Sequence, residues 1–155
     1  MNKMNVATSR FGTIDIESED VISVPEGILG FPASTQYIVI EHRPGSVFRW
    51  LQSVDEPSVA FLVADPCALV PDFTLELDSQ TASSLELDEQ TPCLVYTIAT
   101  IPKGKPEETT INLAGPIVVN VANRTARQLV LEDPAYAIKH PVMLGERKLP
   151  AQAAA

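Results

Sequence analysis

Between Val47 and Pro66 the chain reads VFRWLQSVDEPSVAFLVADP, two apolar runs joined by the turn-forming Val54-Asp55-Glu56-Pro57. Aromatic and β-branched residues on either side of a Pro/Asp/Glu connection predict a β-hairpin. The second run, from Ser58 to Ala64, is apolar on both faces, the pattern of a strand covered from both sides. The stretch also carries the single tryptophan, Trp50, with Phe48 and Phe61 nearby. So much bulky aromatic surface in one place makes Trp50 the expected anchor of the core.

The rest of the chain follows the same pattern of short strands and Pro, Gly or Asx turns. Thr13 to Glu17 alternates polar and apolar residues, Ser18-Glu19-Asp20 turns, and Val21 to Val24 is expected to return as a second strand. Pro25, Gly27, Gly30 and Pro32 then interrupt regular structure, with Ile28, Leu29 and Phe31 suggesting a loop tucked against the core. Further strands are expected at Tyr37–Glu41, Phe73–Leu77, Cys93–Ile101, Thr110–Leu113, Ile117–Val121 and Arg127–Leu131. A short helix capped by Asp78 or Ser79 fits residues up to Glu86. Residues 1–9 read as a flexible leader and residues 141–155 as a C-terminal tail, leaving one domain over 10–140. About ten short strands with scarcely any helix predict an all-β chain. The expected architecture is a small, single-domain, antiparallel β-barrel-like fold with at most one or two short helices.

Charge narrows the function. Twenty acidic against eleven basic residues give a net charge of −9. Such a chain is a poor ligand for nucleic acid, where Lys and Arg must displace phosphate counterions, and for anionic membranes. A basic protein is the electrostatic match. No apolar run is long enough to span a bilayer, and the N-terminus has no secretory pattern, so a cytoplasmic protein is expected. Cys67 and Cys93 lie beside apolar residues without metal-ligand spacing and read as buried, reduced thiols.

Reactive constellations are scarce. His42 stands in a turn before Arg43-Pro44 and His140 before Pro141, neither with the partners of a metal site. There is no Gly-x-Ser-x-Gly elbow and no histidine near either cysteine. Acidic pairs such as Asp15/Glu17, Glu19/Asp20 and Glu76/Asp78 occupy outward or turn positions, where carboxylates stay solvated and ionised. Asp65, ending an apolar strand before Pro66, fits a residue that accepts turn amides. No catalytic residue, metal or cofactor is therefore expected, and the function is assigned to the surface. A small-molecule-binding β-barrel is the rival of a different class, disfavoured by the lack of convergent polar groups.

Several segments, in order, resemble a known family: Arg10-Phe11-Gly12 leading into the acidic strand, Pro25-Glu26-Gly27-Ile28-Leu29-Gly30-Phe31, Trp50-Leu51-Gln52-Ser53, Ala60-Phe61 with Asp65-Pro66, Thr110 to Ile117, and Arg127 to Leu131. Together they resemble the flagellar assembly factor FliW, from about Arg10 to His140. Phe73 stands where the family pattern has tyrosine, so no hydroxyl acts there. The resemblance implies a non-enzymatic regulator, monomeric when free, that switches between two protein partners. One is CsrA, a basic dimeric RNA-binding repressor whose block on flagellin messenger RNA it relieves; the other is flagellin itself. A flagellin chaperone that never meets CsrA is the alternative within that resemblance. The acidic ribbon of Asp15, Glu17, Glu19 and Asp20 is expected to attract the basic partner, with Phe31 or Phe73 supplying apolar contact. Gln52, Asn112 and Gln128 are expected to hold the fold through their amides.

Overall fold

Lys3–Thr8 (β1) and Gly12–Glu17 (β2) pair antiparallel, with Met4 opposite Ile16 and Val6 opposite Ile14. This ribbon opens a computed structural model that describes residues 3–142. A short 3-10 turn, Ser18–Asp20, then redirects the chain. The strands that follow are Ile22–Ser23 (β3), Gln36–Glu41 (β4), Phe48–Ser53 (β5), Ala60–Ala64 (β6), Cys93–Thr100 (β7), Thr110–Ile111 (β8), Ile117–Asn120 (β9), Thr125–Gln128 (β10) and His140–Pro141 (β11). In space they run β7-β6-β5-β4-β3-β10-β9, and β9 pairs back onto β7. The sheet therefore closes into a barrel-like ring. Closure satisfies backbone groups that an open sheet would leave unpaired at its edges. At the far end of β7, Ala99 pairs with Ile111 of β8, which in turn pairs with His140 of β11.

The hairpin from Phe48 to Ala64 forms as its residues dictate, with Leu51 opposite Phe61 and Trp50 opposite Leu62. Alternation sends Tyr37, Leu51 and Val63 inward, where they meet Ile22, Val24, Ile28, Ile117, Val119 and Ala126. A smaller core gathers Phe48, Ala64, Ala99, Ile111, Leu113 and Val142. Two short helices lie outside the ring, Pro66–Leu69 (α1) and Ser79–Ser84 (α2). Asp65 caps α1 by accepting from the Cys67 amide, and Asp78 caps α2 by accepting from Thr81. Each cap satisfies an amide that its helix leaves unpaired. Asn120 of β9 donates to the Leu85 carbonyl at 2.7 Å, fixing the end of α2 to the ring. Gln52 likewise donates to the carbonyls of Ser53, Pro57 and Val59, holding the hairpin turn.

Several expectations change. The leader expected at 1–9 contains β1, because Met4, Val6 and Thr8 alternate against the inner face of β2. At the other end Pro141 belongs to β11 and Val142 is buried, so the ordered chain continues beyond 140; the remaining tail positions lie outside the described residues. Val21–Val24 does not fold back on β2; β3 pairs with β4 and β10 instead. Residues 73–77 keep the alternation, with Phe73, Leu75 and Leu77 half-buried, yet join no ladder. Helix α1, unanticipated, follows from Pro66 at a first-turn position behind the Asp65 cap. Cys67 and Cys93 are exposed rather than buried. Desolvation and the neighbouring Asp65 carboxylate push the Cys67 thiol upward, away from thiolate chemistry.

Trp50 is no core anchor either. It lies half-buried on the outer side of β5, with Phe11 edge-on at 6.0 Å and the Arg10 guanidinium 4.2 Å from its ring centroid. It is thus a clamp for the turn of the β1–β2 ribbon, which is also tied down where Ser9 donates to the Pro57 carbonyl. Trp50→Ala is expected to cost about 2 kcal/mol in denaturant unfolding, below the roughly 3–5 kcal/mol of a buried aromatic.

Burial pushes the Tyr37 phenol up to about 12, with the Glu56 and Asp55 carboxylates adding to the rise and the Ser34 hydroxyl opposing it. The unfolded chain releases that proton near its ordinary value of 10.0, so above it the folded state holds more protons than the unfolded state. Stability should therefore fall as pH rises through 10 toward 12. Melting curves of wild type and Tyr37→Phe at pH 9 and above test this: the variant should lose less stability per pH step.

Candidate protein-docking groove

The ring is thinnest where β3 meets β10. These strands run parallel and share a single register pair, Ser23 with Thr125; every other strand pairing among the described residues is antiparallel. The cause lies in the sequence. Val24 turns its amide to the Thr35 carbonyl, and Pro25 has no N–H to offer. The chain then leaves the sheet through Gly27 and Gly30, both at positive φ. Beyond Ala126 the strand at β10 goes on alone, held on its other side by bonds from Leu129 to the Pro116 carbonyl and from Leu131 to the Ala114 carbonyl.

This divergence opens a groove of about 550 Å³. Residues 127–131 form its floor, residues 26–30 one wall, and residues 76–78 with Thr81 the other. Gln128 braces the first wall: its Oε1 accepts from the Leu29 amide at 2.8 Å, while its Nε2 donates to the Gly115 carbonyl at 3.0 Å. Asn112 turns its Oδ1 to the Ala114 amide nearby. Arg127 meets Glu26 at 3.7 Å and donates to the Ser84 hydroxyl at the end of α2. That ion pair is solvent-exposed, so it positions side chains more than it stabilises them.

The groove is apolar in its middle and acidic at its margins. Leu29 is 72% exposed and Val130 65%. Leu77, Leu129 and Leu131 line the interior, and Glu26, Glu76 and Asp78 stand against Arg127. The amide and hydroxyl of Thr81 hold the Asp78 carboxyl below the usual carboxylate range, so it stays charged at neutral pH.

The anticipated contact residues do not gather at this seam. Asp15 is exposed on β2, and Glu19 and Asp20 are exposed on the 3-10 turn; Glu17 is half-buried. The Asp20 carbonyl accepts from Arg124 at 2.7 Å, tying the acidic turn to the start of β10. Phe31 lies beside the first wall, 39% exposed, and meets Phe61 edge-on at 5.2 Å. Phe73 is elsewhere: it packs with Tyr136 against the smaller core, so the two phenylalanines do not share a site. Leu29 and Val130 were not anticipated as surface residues. Their apolar character reads as burial in the sequence, and only the early end of β3 exposes them. Among the described residues no His, Cys, Asp and Glu cluster forms a metal centre, and no helix is long and apolar enough to cross a membrane.

Comparison with known proteins agrees with this architecture. Residues 5–142 match the family model described as FliW protein. The chain is 41% identical over 140 residues to a flagellar assembly factor FliW of Magnetococcus marinus, covering 90% of this chain and 85% of that protein. It is 38% identical over 141 residues to the FliW of Caldanaerobacter subterraneus, covering 90% and 93%. A crystal structure of a flagellar assembly factor FliW superposes with a TM-score of 0.81 at 30% identity, covering 89% of this chain and 96% of that one.

Gly27 holds the groove in shape. A Cβ there would lie 2.7 Å from the Phe31 carbonyl oxygen and 2.7 Å from the Pro32 Cα, at a φ of +70°. Gly27→Ala is expected to cost about 2 kcal/mol or more and to speed hydrogen exchange at the Leu29 amide. Gly45→Ala shares the positive φ but meets no atom within 4 Å, so it should cost about 1 kcal/mol.

Proposed function

This chain belongs to the FliW family of flagellar assembly factors, and from that premise we propose that it acts in the cytoplasm as a monomeric, non-enzymatic regulator. It binds the basic repressor CsrA, releasing flagellin messenger RNA for translation, and it binds flagellin in competition. The observation that carries this reading is the pairing of a net charge of −9 with exposed apolar side chains at the seam of the ring. Negative charge steers a basic protein toward the surface, and desolvated apolar contacts then supply most of the affinity. Nucleic acid would be repelled by the same charge.

Asp15, Glu17, Glu19 and Asp20 form the steering surface in this reading, and Phe31 is the apolar contact on the groove side. Phe73, half-buried in the smaller core, is better suited to holding the fold. Rim charges act mainly on association rate. Each single replacement should be mild, and added salt should weaken binding by screening.

Titrating the purified protein with CsrA and then adding flagellin tests the partner switch: heat should appear with CsrA and flagellin should displace it. Reversing Asp15, Glu19 and Asp20 to lysine together should slow association about tenfold or more at low salt. Unchanged kinetics would remove the ribbon from the interface. Binding of flagellin without CsrA would instead make the protein a dedicated flagellin chaperone.

A further inference from the structure

We propose that the groove at the β3–β10 seam is a strand-addition site. An extended segment of a partner protein, apolar at alternate positions and carrying lysine or arginine, pairs with the open backbone edge at Gln128–Val130. The proposal rests on the reading that this chain acts by docking a basic protein, and it names where and how the docking occurs.

Backbone geometry is the starting point. In an antiparallel ladder successive residues turn their N–H and C=O groups to opposite sides. Leu129 and Leu131 donate toward Pro116 and Ala114, so Gln128 and Val130 direct theirs away from β9, toward the groove. Val130 makes no hydrogen bond among the described residues. The strand that would cover this edge is β3, which ends at Ser23. Here the ring leaves a length of ready-ordered strand with one side free.

Side chains point to the occupant. Exposed strand edges are usually blunted by lysine, proline or a bulge. This one carries an exposed valine and faces an exposed leucine, Leu29, so apolar side chains of an added strand would find contacts on the groove walls. Main-chain pairing then gives affinity and the wall pockets give register. The margins hold three carboxylates, Glu26, Glu76 and Asp78, against Arg127 alone, and Arg127 already faces Glu26. A positively charged segment is the complement.

Full-length protein labelled with 15N, mixed separately with unlabelled CsrA and unlabelled flagellin, provides the test. Saturation with CsrA, the basic partner, should slow exchange of the Val130 amide by about tenfold or more, the protection expected of a new backbone hydrogen bond. By calorimetry, Val130→Pro, which removes the donor, should weaken that partner about tenfold. Glu76→Lys should weaken it more than Glu107→Lys, a charge change at an exposed residue far along the chain from the groove. The exchange measurement on wild type decides the matter even if the proline variant folds poorly. Tight binding of CsrA with unchanged Val130 exchange, protection by flagellin alone, or full affinity for CsrA in a folded Val130→Pro variant overturns the groove while leaving the partner assignment standing. A dimer of this chain that disappears in Val130→Pro would give the edge to a second copy and overturn the proposal. Absence of binding to both proteins overturns the partner reading and the groove together.

Discussion

One residue pair closes the ring. Ser23 beside Thr125 is the single register position shared by β3 and β10, and the Ser23 amide donating to the Arg124 carbonyl at 2.8 Å keeps the ring continuous across it. A single parallel contact is a weak seam by itself. It holds because both sides are pinned by other means: Ile22, Val24 and Ala126 insert into the same core, and Arg124 reaches the Asp20 carbonyl. Apolar burial closes the ring, and hydrogen bonding sets its register. Pro25 then prevents the seam from continuing, so closure and opening are encoded by adjacent residues.

This arrangement separates stability from recognition. The interior of the ring is built largely from Tyr37, Leu51, Val63, Ile117 and Val119, none of which reaches the groove, and Ile28 belongs to both. The groove walls hang on polar braces instead, the Gln128 amide above all. A surface can therefore vary in charge and shape while the β core stays fixed. The comparisons fit that picture, since the fold is shared with a FliW crystal structure at 30% sequence identity.

Much of this was legible in the amino-acid order, and for identifiable reasons. The hairpin over 47–66 declares itself because strand-forming runs flank a turn of Val, Asp, Glu and Pro, and β7 because eight residues of strand character stop at a proline-bearing loop. The acidic surface follows from composition. What escaped was long-range. A two-residue strand such as β3 is too short to show a period, and nothing local indicates that it lies beside Thr125. Residues 73–77 carry a faultless alternation yet join no ladder, since a period of two marks which face is buried and not whether a partner strand lies alongside. Trp50 reads as core by its chemistry, whereas parity along β5 places it opposite Leu62 on the outer face. Leu129-Val130-Leu131 reads as buried strand, and one of the three is exposed because its neighbour ends early. In each case the residue's character was plain and its partner was not.

The closure also dictates when the molecule can come into being. Asp20 and Arg124 are separated by 104 positions, and Leu29 and Gln128 by 99. Contacts of such sequence separation form late, because a long loop must be ordered before they return any free energy. During synthesis the first two-thirds of the chain can lay down hairpins, but one flank of the sheet stays bare until the last strands leave the ribosome. A shortened polypeptide would expose that flank as a sticky β surface in place of a shaped recess. The shaped recess thus arrives abruptly, with the final quarter of translation, and premature termination yields an aggregation hazard instead of a half-formed groove.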